Sequence, residues 1–212
     1  MKKLIFMCMF ALLLIIQTPV VSVAESTTNA GLVNPSLVNS LRQGGYILYV
    51  RHGEATIGED QPNLIFSDCA TQRNLTEEGK RQASLYGQKL RVLQIPVLTP
   101  VSASPFCRTR ETAELAFGAG NVQVDSFWTK VYNLSGNVTT EERENTLATL
   151  TTILEKEPPT GLNKVIIAHS FPSGTGLGEI PFLGTVILKP KGQGNGYDIV
   201  DRLSFNELSS LQ

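Results

Sequence analysis

The sequence has no dominant charge. Its 212 residues carry 18 Lys and Arg against 19 Asp and Glu, which leaves no bulk field to draw nucleic acid or a charged membrane surface. Histidine is scarce, with two in the whole chain, and cysteine is nearly so, with three. That sparse set does not suggest a zinc cage, and no metal or other cofactor is expected. No Gly-x-Ser-x-Gly run occurs, so a hydrolase built on a serine elbow is unsupported. Two glycine-rich stretches fail as phosphate loops. "SGTGLGE" (173–179) has Glu179 where a third glycine belongs, and "KGQGNG" (191–196) has no Lys-Ser/Thr after it. They read as a loop and a hairpin turn. There is no internal repeat, no low-complexity block and no composition shift that would split a domain.

A long apolar run occurs at the N-terminus. Lys2 and Lys3 precede Leu4–Ile16, residues 17–19 break the run, and Ser22-Val23-Ala24 end in small side chains. This is the pattern of an export signal cleaved after Ala24, and the run is short for an uncleaved membrane span of ~20 residues. Cys8 lies inside the run, so lipid attachment is not expected. The mature chain is expected to be periplasmic or secreted, without a stable membrane anchor. Residues 25–40 read as a flexible lead-in, and 41–212 as one domain. The remaining pair, Cys69 and Cys107, reads as a disulfide formed in an oxidising compartment.

Strand and helix patterns alternate through the domain. Tyr46–Val50 and Val165–Ala168 are short, strongly apolar runs that read as buried strands, with further strands at 101–103 and 122–124. Thr76, followed by Glu77 and Glu78, suits the start of a helix in which Ala83, Tyr86, Leu90 and Leu93 recur on one face. Helices are also expected over "TRETAELAF" and 140–156, and a hairpin from "TVILKP" and "YDIVDRLSF". This alternation implies a layered α/β fold with a mostly parallel central sheet.

Three strand ends share a chemistry. Tyr46–Val50 runs into Arg51-His52-Gly53, 101–103 into "SPFCRTRETA" with Arg108, and 165–168 into His169-Ser170. In a parallel sheet such ends line one edge, where open α/β folds bind ligands. Two guanidiniums match phosphate oxygens. A neutral imidazole can attack phosphorus, and a second, protonated, can stabilise the transferring group. Gly53 permits close backbone approach, and a helix beginning after Arg108 adds amide dipoles for an anion.

"RHGEA", "RNLTEEGKRQA", "SPFCRTRETA" and "IIAHS", in this order, resemble the histidine phosphatase superfamily, branch 1, also called phosphoglycerate-mutase-like. The resemblance covers roughly Gly44 to the C-terminus. It implies a three-layer α/β/α sandwich and a small exported phosphatase of the histidine acid phosphatase type that needs no metal. His52 would be the phosphorylated nucleophile, with Arg51, Arg108, His169, Gly53 and Ser170 around the phosphoryl group. The family's general-acid Glu has no clear counterpart. Asp125 is the first candidate because it follows a short strand, and Glu141, Glu142 and Glu179 are the others. The expected substrate is a phosphorylated small molecule or an envelope sugar phosphate, and phosphoramidates also fit. The alternative is a non-catalytic relative that binds a phosphate ligand. A mutase fits less well, since mutases of this family are cytosolic.

Overall fold

The computed structural model describes residues 35–212. The expected export signal over 1–24 therefore lies outside the described residues, as does most of the expected lead-in. The lead-in ends sooner than expected. Pro35–Gln43 form helix α1, because Leu37, Val38 and Leu41 fall on one face and bury against the sheet.

A six-stranded sheet forms the middle layer. Its strands are β1 (Ile47–Arg51), β2 (Val101–Ala103), β3 (Val122–Val124), β4 (Lys164–Ala168), β5 (Thr185–Pro190) and β6 (Tyr197–Leu203). The order is β3-β2-β4-β1-β5-β6. The pairs β3–β2, β2–β4 and β4–β1 are parallel, while β1–β5 and β5–β6 are antiparallel. β1 and β4 lie inside the sheet with both faces covered, which is why Ile47–Val50 and Val165–Ala168 are continuous apolar runs rather than alternating ones.

The alternation of side chains assigns the two cores. On one face Leu48, Val50, Val165 and Ile167 meet α1, α2 (Glu77–Val92), α3 (Cys107–Phe117) and the C-terminal helix at 205–210. On the other face Ile47, Tyr49, Ile166 and Ala168 meet the helices Phe127–Asn133 (α4) and Thr140–Leu154 (α5). The result is three layers, helix on sheet on helix. The last helix, Phe205–Ser210 (α6), was not expected from the sequence, nor was α4.

Local signals explain the element starts. The Thr76 hydroxyl accepts from the Gly79 N–H at the start of α2, with Glu77 and Glu78 in the first turn. Thr139 and Glu142 form a reciprocal cap on α5. α3 opens one residue before Arg108, which thus sits inside the first helical turn rather than in the preceding loop.

Candidate active site

Register brings the two histidines together. β1 and β4 pair in parallel with Arg51 opposite Ala168, so the next residue on each strand is a histidine. The His52 N–H donates to the Ala168 carbonyl at 3.1 Å. The two imidazoles stand edge to face with centroids 5.5 Å apart, each only 4% exposed.

The His52 ring is fixed by its neighbour. Its Nδ1 lies 2.7 Å from the Gly53 carbonyl oxygen. A carbonyl only accepts, so Nδ1 carries the proton and Nε2 keeps a lone pair. Burial, then the guanidinium of Arg108, hold His52 well below its ordinary value of 6.5, with Arg51 and Arg73 acting in the same sense. The ring is therefore neutral and nucleophilic at neutral pH. His169 is also held well below 6.5, by burial first and then by His52 and Arg108. In the free protein this disfavours the protonated form of His169. Its Nε2 shares a hydrogen bond of 3.1 Å with the buried Ser104 hydroxyl, and its backbone carbonyl accepts from Tyr49.

Gly53 answers to sterics. A Cβ there would lie 2.7 Å from the Gly79 carbonyl oxygen, so the turn after β1 lies flush on the start of α2. The Gly53 N–H donates to Thr112 of α3, whose hydroxyl in turn donates to the Arg108 carbonyl. One short chain of hydrogen bonds thus ties the nucleophile's turn to the arginine's helix.

The two arginines are held differently. The Arg51 guanidinium lies 4.1 Å over the Phe182 ring and donates from Nη1 to the Ile180 carbonyl. It borders a cleft of about 500 Å³ lined with Ser170, Phe171, Glu179, Ile180 and Pro181. Ser170 is in that cleft, but its hydroxyl accepts from the Ile180 N–H. Arg108 is buried, and its guanidinium forms a two-pronged ion pair with Asp60 at 2.8 and 3.1 Å. Both guanidiniums lie over an aromatic ring, Arg108 over Phe106 at 4.5 Å, and the Nε of each is buried without a hydrogen-bond partner. Buried donors are rarely left so, and an anion between them would satisfy both. Arg51 is lowered from its ordinary value by burial and then by Arg73 and Arg108, the signature of crowded cations.

The aromatic walls went unread in the sequence. Phe106 and Tyr132 stand 4.7 and 4.9 Å from the His169 ring, and Phe182 stands 5.7 Å from His52. Ser104, Asp60 and Arg73 were missed as well. Asp60 lies in a polar loop, where an inward carboxylate leaves no periodic trace. Ser104 carried a weak signal, because it follows β2 as His52 follows β1.

The candidate acids do not gather here. Asp125 accepts from the Phe127 N–H at the start of α4 and lines a separate cleft with Lys164, which begins β4 rather than ending it. By register it follows the same sheet edge as Ser104 and His169, with its N–H on the Ala103 carbonyl, but its carboxylate is engaged at the α4 start. Glu142 is engaged with Thr139 in the α5 cap, and Glu141 is exposed beside it. Of the four, Glu179 alone lines the cleft beside Arg51, and it is exposed.

Cys69 and Cys107 are bridged, with Cα atoms 5.7 Å apart. Cys107 immediately precedes Arg108, and its N–H donates to the Gln72 side chain. The bridge therefore pins the start of α3 to the segment 69–73.

The sequence comparisons agree with this layout. The family model described as histidine phosphatase superfamily (branch 1) matches residues 47–128. That span holds Arg51, His52 and Arg108, while His169 joins them through β4. No curated protein matches the chain. Among solved structures, a mycobacterial hydrolase is similar at 16% identity, with a TM-score of 0.51, covering 74% of this chain and 97% of its own. That likeness is one of fold. The protein histidine phosphatase SixA in complex with tungstate gives a TM-score of 0.49 at 15% identity, over 77% of this chain and 99% of its own. A phosphoserine phosphatase from Entamoeba histolytica gives 0.48 at 15% identity, over 77% and 98%. The family match is carried by the segment that holds Arg51, His52 and Arg108.

Proposed function

We propose that the chain is a phosphatase that works through phosphorylated His52 and needs no metal. The observation that carries this reading is the fixed tautomer of His52: Nδ1–H bound to the Gly53 carbonyl, leaving a neutral Nε2 beside His169 and two arginines with unpartnered Nε atoms. Nε2 attacks phosphorus, the P–N bond forms, and the bond to the leaving group breaks. Arg51 and Arg108 hold the phosphoryl oxygens as charge shifts onto them. A dianion in this place would favour protonation of His169, against the burial that keeps it neutral in the free protein. Water then attacks phosphorus, the P–N bond breaks, and phosphate leaves with His52 restored.

The substrate is a phosphomonoester or phosphoramidate. Three of the four candidate acids lie in helix caps or in another cleft, and the fourth is exposed. The reading therefore favours leaving groups that need little protonation, a phosphoramidate among them. The N-terminal pattern and the disulfide, which suits an oxidising compartment, support an exported enzyme acting on a scavenged phosphoester or an envelope sugar phosphate.

That none of the four candidate acids is hydrogen-bonded to His52 or His169 among the described residues also favours a second reading, a phosphate-binding relative without turnover. One experiment separates the two. The mature protein is given p-nitrophenyl phosphate with EDTA, and His52→Ala is run beside it. Turnover that survives EDTA and disappears with His52 is the expected result. Vanadate binding without turnover of any phosphoester or phosphoramidate would establish the second reading instead.

A further inference from the structure

The loop from Thr56 to Asp68 is mostly exposed, and Ile57 fully so. Asp60 turns inward from it, with its side chain 8% exposed. Its Oδ1 accepts from Arg108 Nη1 and from the Arg73 N–H, both at 2.8 Å. Its Oδ2 accepts from Arg108 Nη2 at 3.1 Å and from the Tyr132 hydroxyl at 2.9 Å. A carboxylate has about four acceptor sites, so Asp60 is saturated.

The Arg108 side of the account is as constrained. Nη1 also donates to the Arg73 carbonyl at 3.3 Å, so both of its hydrogens are used. Nη2 has used one. A guanidinium carries five N–H donors. The two that remain are Nε–H and the second hydrogen of Nη2, which form its side-on fork. Nε is the buried atom that has no partner.

We propose that Asp60 is a positioning residue: it grips the end-on face of Arg108 and so presents the side-on fork to two phosphoryl oxygens. The inference rests on the phosphatase reading above and adds to it a residue that never touches substrate. Two observations favour a permanent grip over a carboxylate that phosphate displaces. Displacement would break four hydrogen bonds at once. The loop is also tied down, by Thr56 N–H to the Asn74 carbonyl and Gln61 N–H to the Thr71 carbonyl, on a segment that the disulfide fixes to Cys107. Burial would raise the Asp60 carboxyl, but the bonds from Arg108, Arg73 and Tyr132 bring it below its ordinary value of 3.8. It is thus unsuited to donate a proton.

The test is the affinity of the full chain, disulfide intact, for tungstate, measured by calorimetry in wild type and Asp60→Asn. Removing a negative charge from an anion site should tighten binding if only the field mattered. Loss of a positioning residue does the opposite, and we expect affinity to fall about tenfold or more, with kcat for p-nitrophenyl phosphate falling too. Tighter or unchanged binding in Asp60→Asn would overturn the proposal, the tighter result marking Asp60 as a competitor for Arg108. If Asp60→Asn does not fold, Tyr132→Phe removes one bond to Asp60 and keeps its charge. Weaker tungstate binding is then expected with the melting temperature little changed, and tighter or unchanged binding again overturns the proposal. A wild type that binds no tungstate would sink the phosphatase reading and this inference with it. Wild-type binding that Asp60→Asn leaves unaltered would sink this inference alone.

Discussion

The end of β1 and the start of α3 each deliver one arginine to the same pair of histidines, and they hold it in opposite ways. Arg51 rests on an aromatic face and a single carbonyl at the border of an open cleft. Arg108 is sealed, gripped by Asp60 and stapled through Cys107. On the phosphatase reading, the difference divides the handling of one anion between the two. One cation is set before the ligand arrives, and the other keeps room to adjust. A preset donor has no reorganisation to undergo during reaction, which is where electrostatic catalysis gains most.

Truncation should expose the contrast most strongly. Arg108→Ala leaves Asp60 as a buried charge without its partner, and breaking such a pair typically costs ~3–5 kcal/mol of stability. Arg51→Ala removes one hydrogen bond to a carbonyl and a ring contact, a loss of about 1 kcal/mol. Denaturant unfolding of the two variants measures this. Equal losses would erase the distinction between the two regions.

The disulfide offers a smaller and sharper probe. Bridging residues 38 apart typically adds ~2–4 kcal/mol, so reduction should lower the unfolding midpoint by a corresponding amount. The bridge adjoins Arg108 and not Arg51. Oxyanion binding should therefore show coupling between reduction and Arg108→Ala, and near additivity between reduction and Arg51→Ala. The same coupling for both arginines would mean that the bridge stabilises the fold generally and does not preset Arg108.

The smallest expected effect concerns pH. His52 and His169 are depressed in the folded state, so below the ordinary value of 6.5 the unfolded chain takes up protons that the folded chain refuses. Their contribution to stability is present above that value and is lost as pH falls below it. Melting temperature should decline as pH drops from about 6.5 towards 5. A His52→Asn, His169→Asn variant should show a flatter profile over that window. An unchanged profile would place the acid sensitivity elsewhere.

Much of this architecture was legible in the sequence, for identifiable reasons. β1 and β4 sit inside the sheet, so their apolar runs announce strands whatever surrounds them. Thr76 and the glutamates after it announce α2, because capping is local chemistry. The convergence of Arg51, His52, Arg108 and His169 followed from parallel strand order alone. What escaped was set by tertiary contact. Leu37, Val38 and Leu41 are spaced for α1, but they lie among polar residues that also suit a linker. Asp125 looked like an acid because it follows a strand, yet its carboxylate serves the α4 start. Asp60 lies in a solvent-facing loop, and its partner Arg108 is 48 positions away. No local pattern links such a pair.

The central claim is that His52 Nε2 takes the phosphoryl group. The most direct measurement mixes the mature protein with excess p-nitrophenyl phosphate or phosphoramidate, quenches it in alkali, and locates phosphate by peptide mass spectrometry. The account predicts an acid-labile, alkali-stable phosphoryl group on His52, formed in EDTA and absent from His52→Asn. Steady turnover with no phosphoenzyme, or with undiminished rate in His52→Asn, would contradict it.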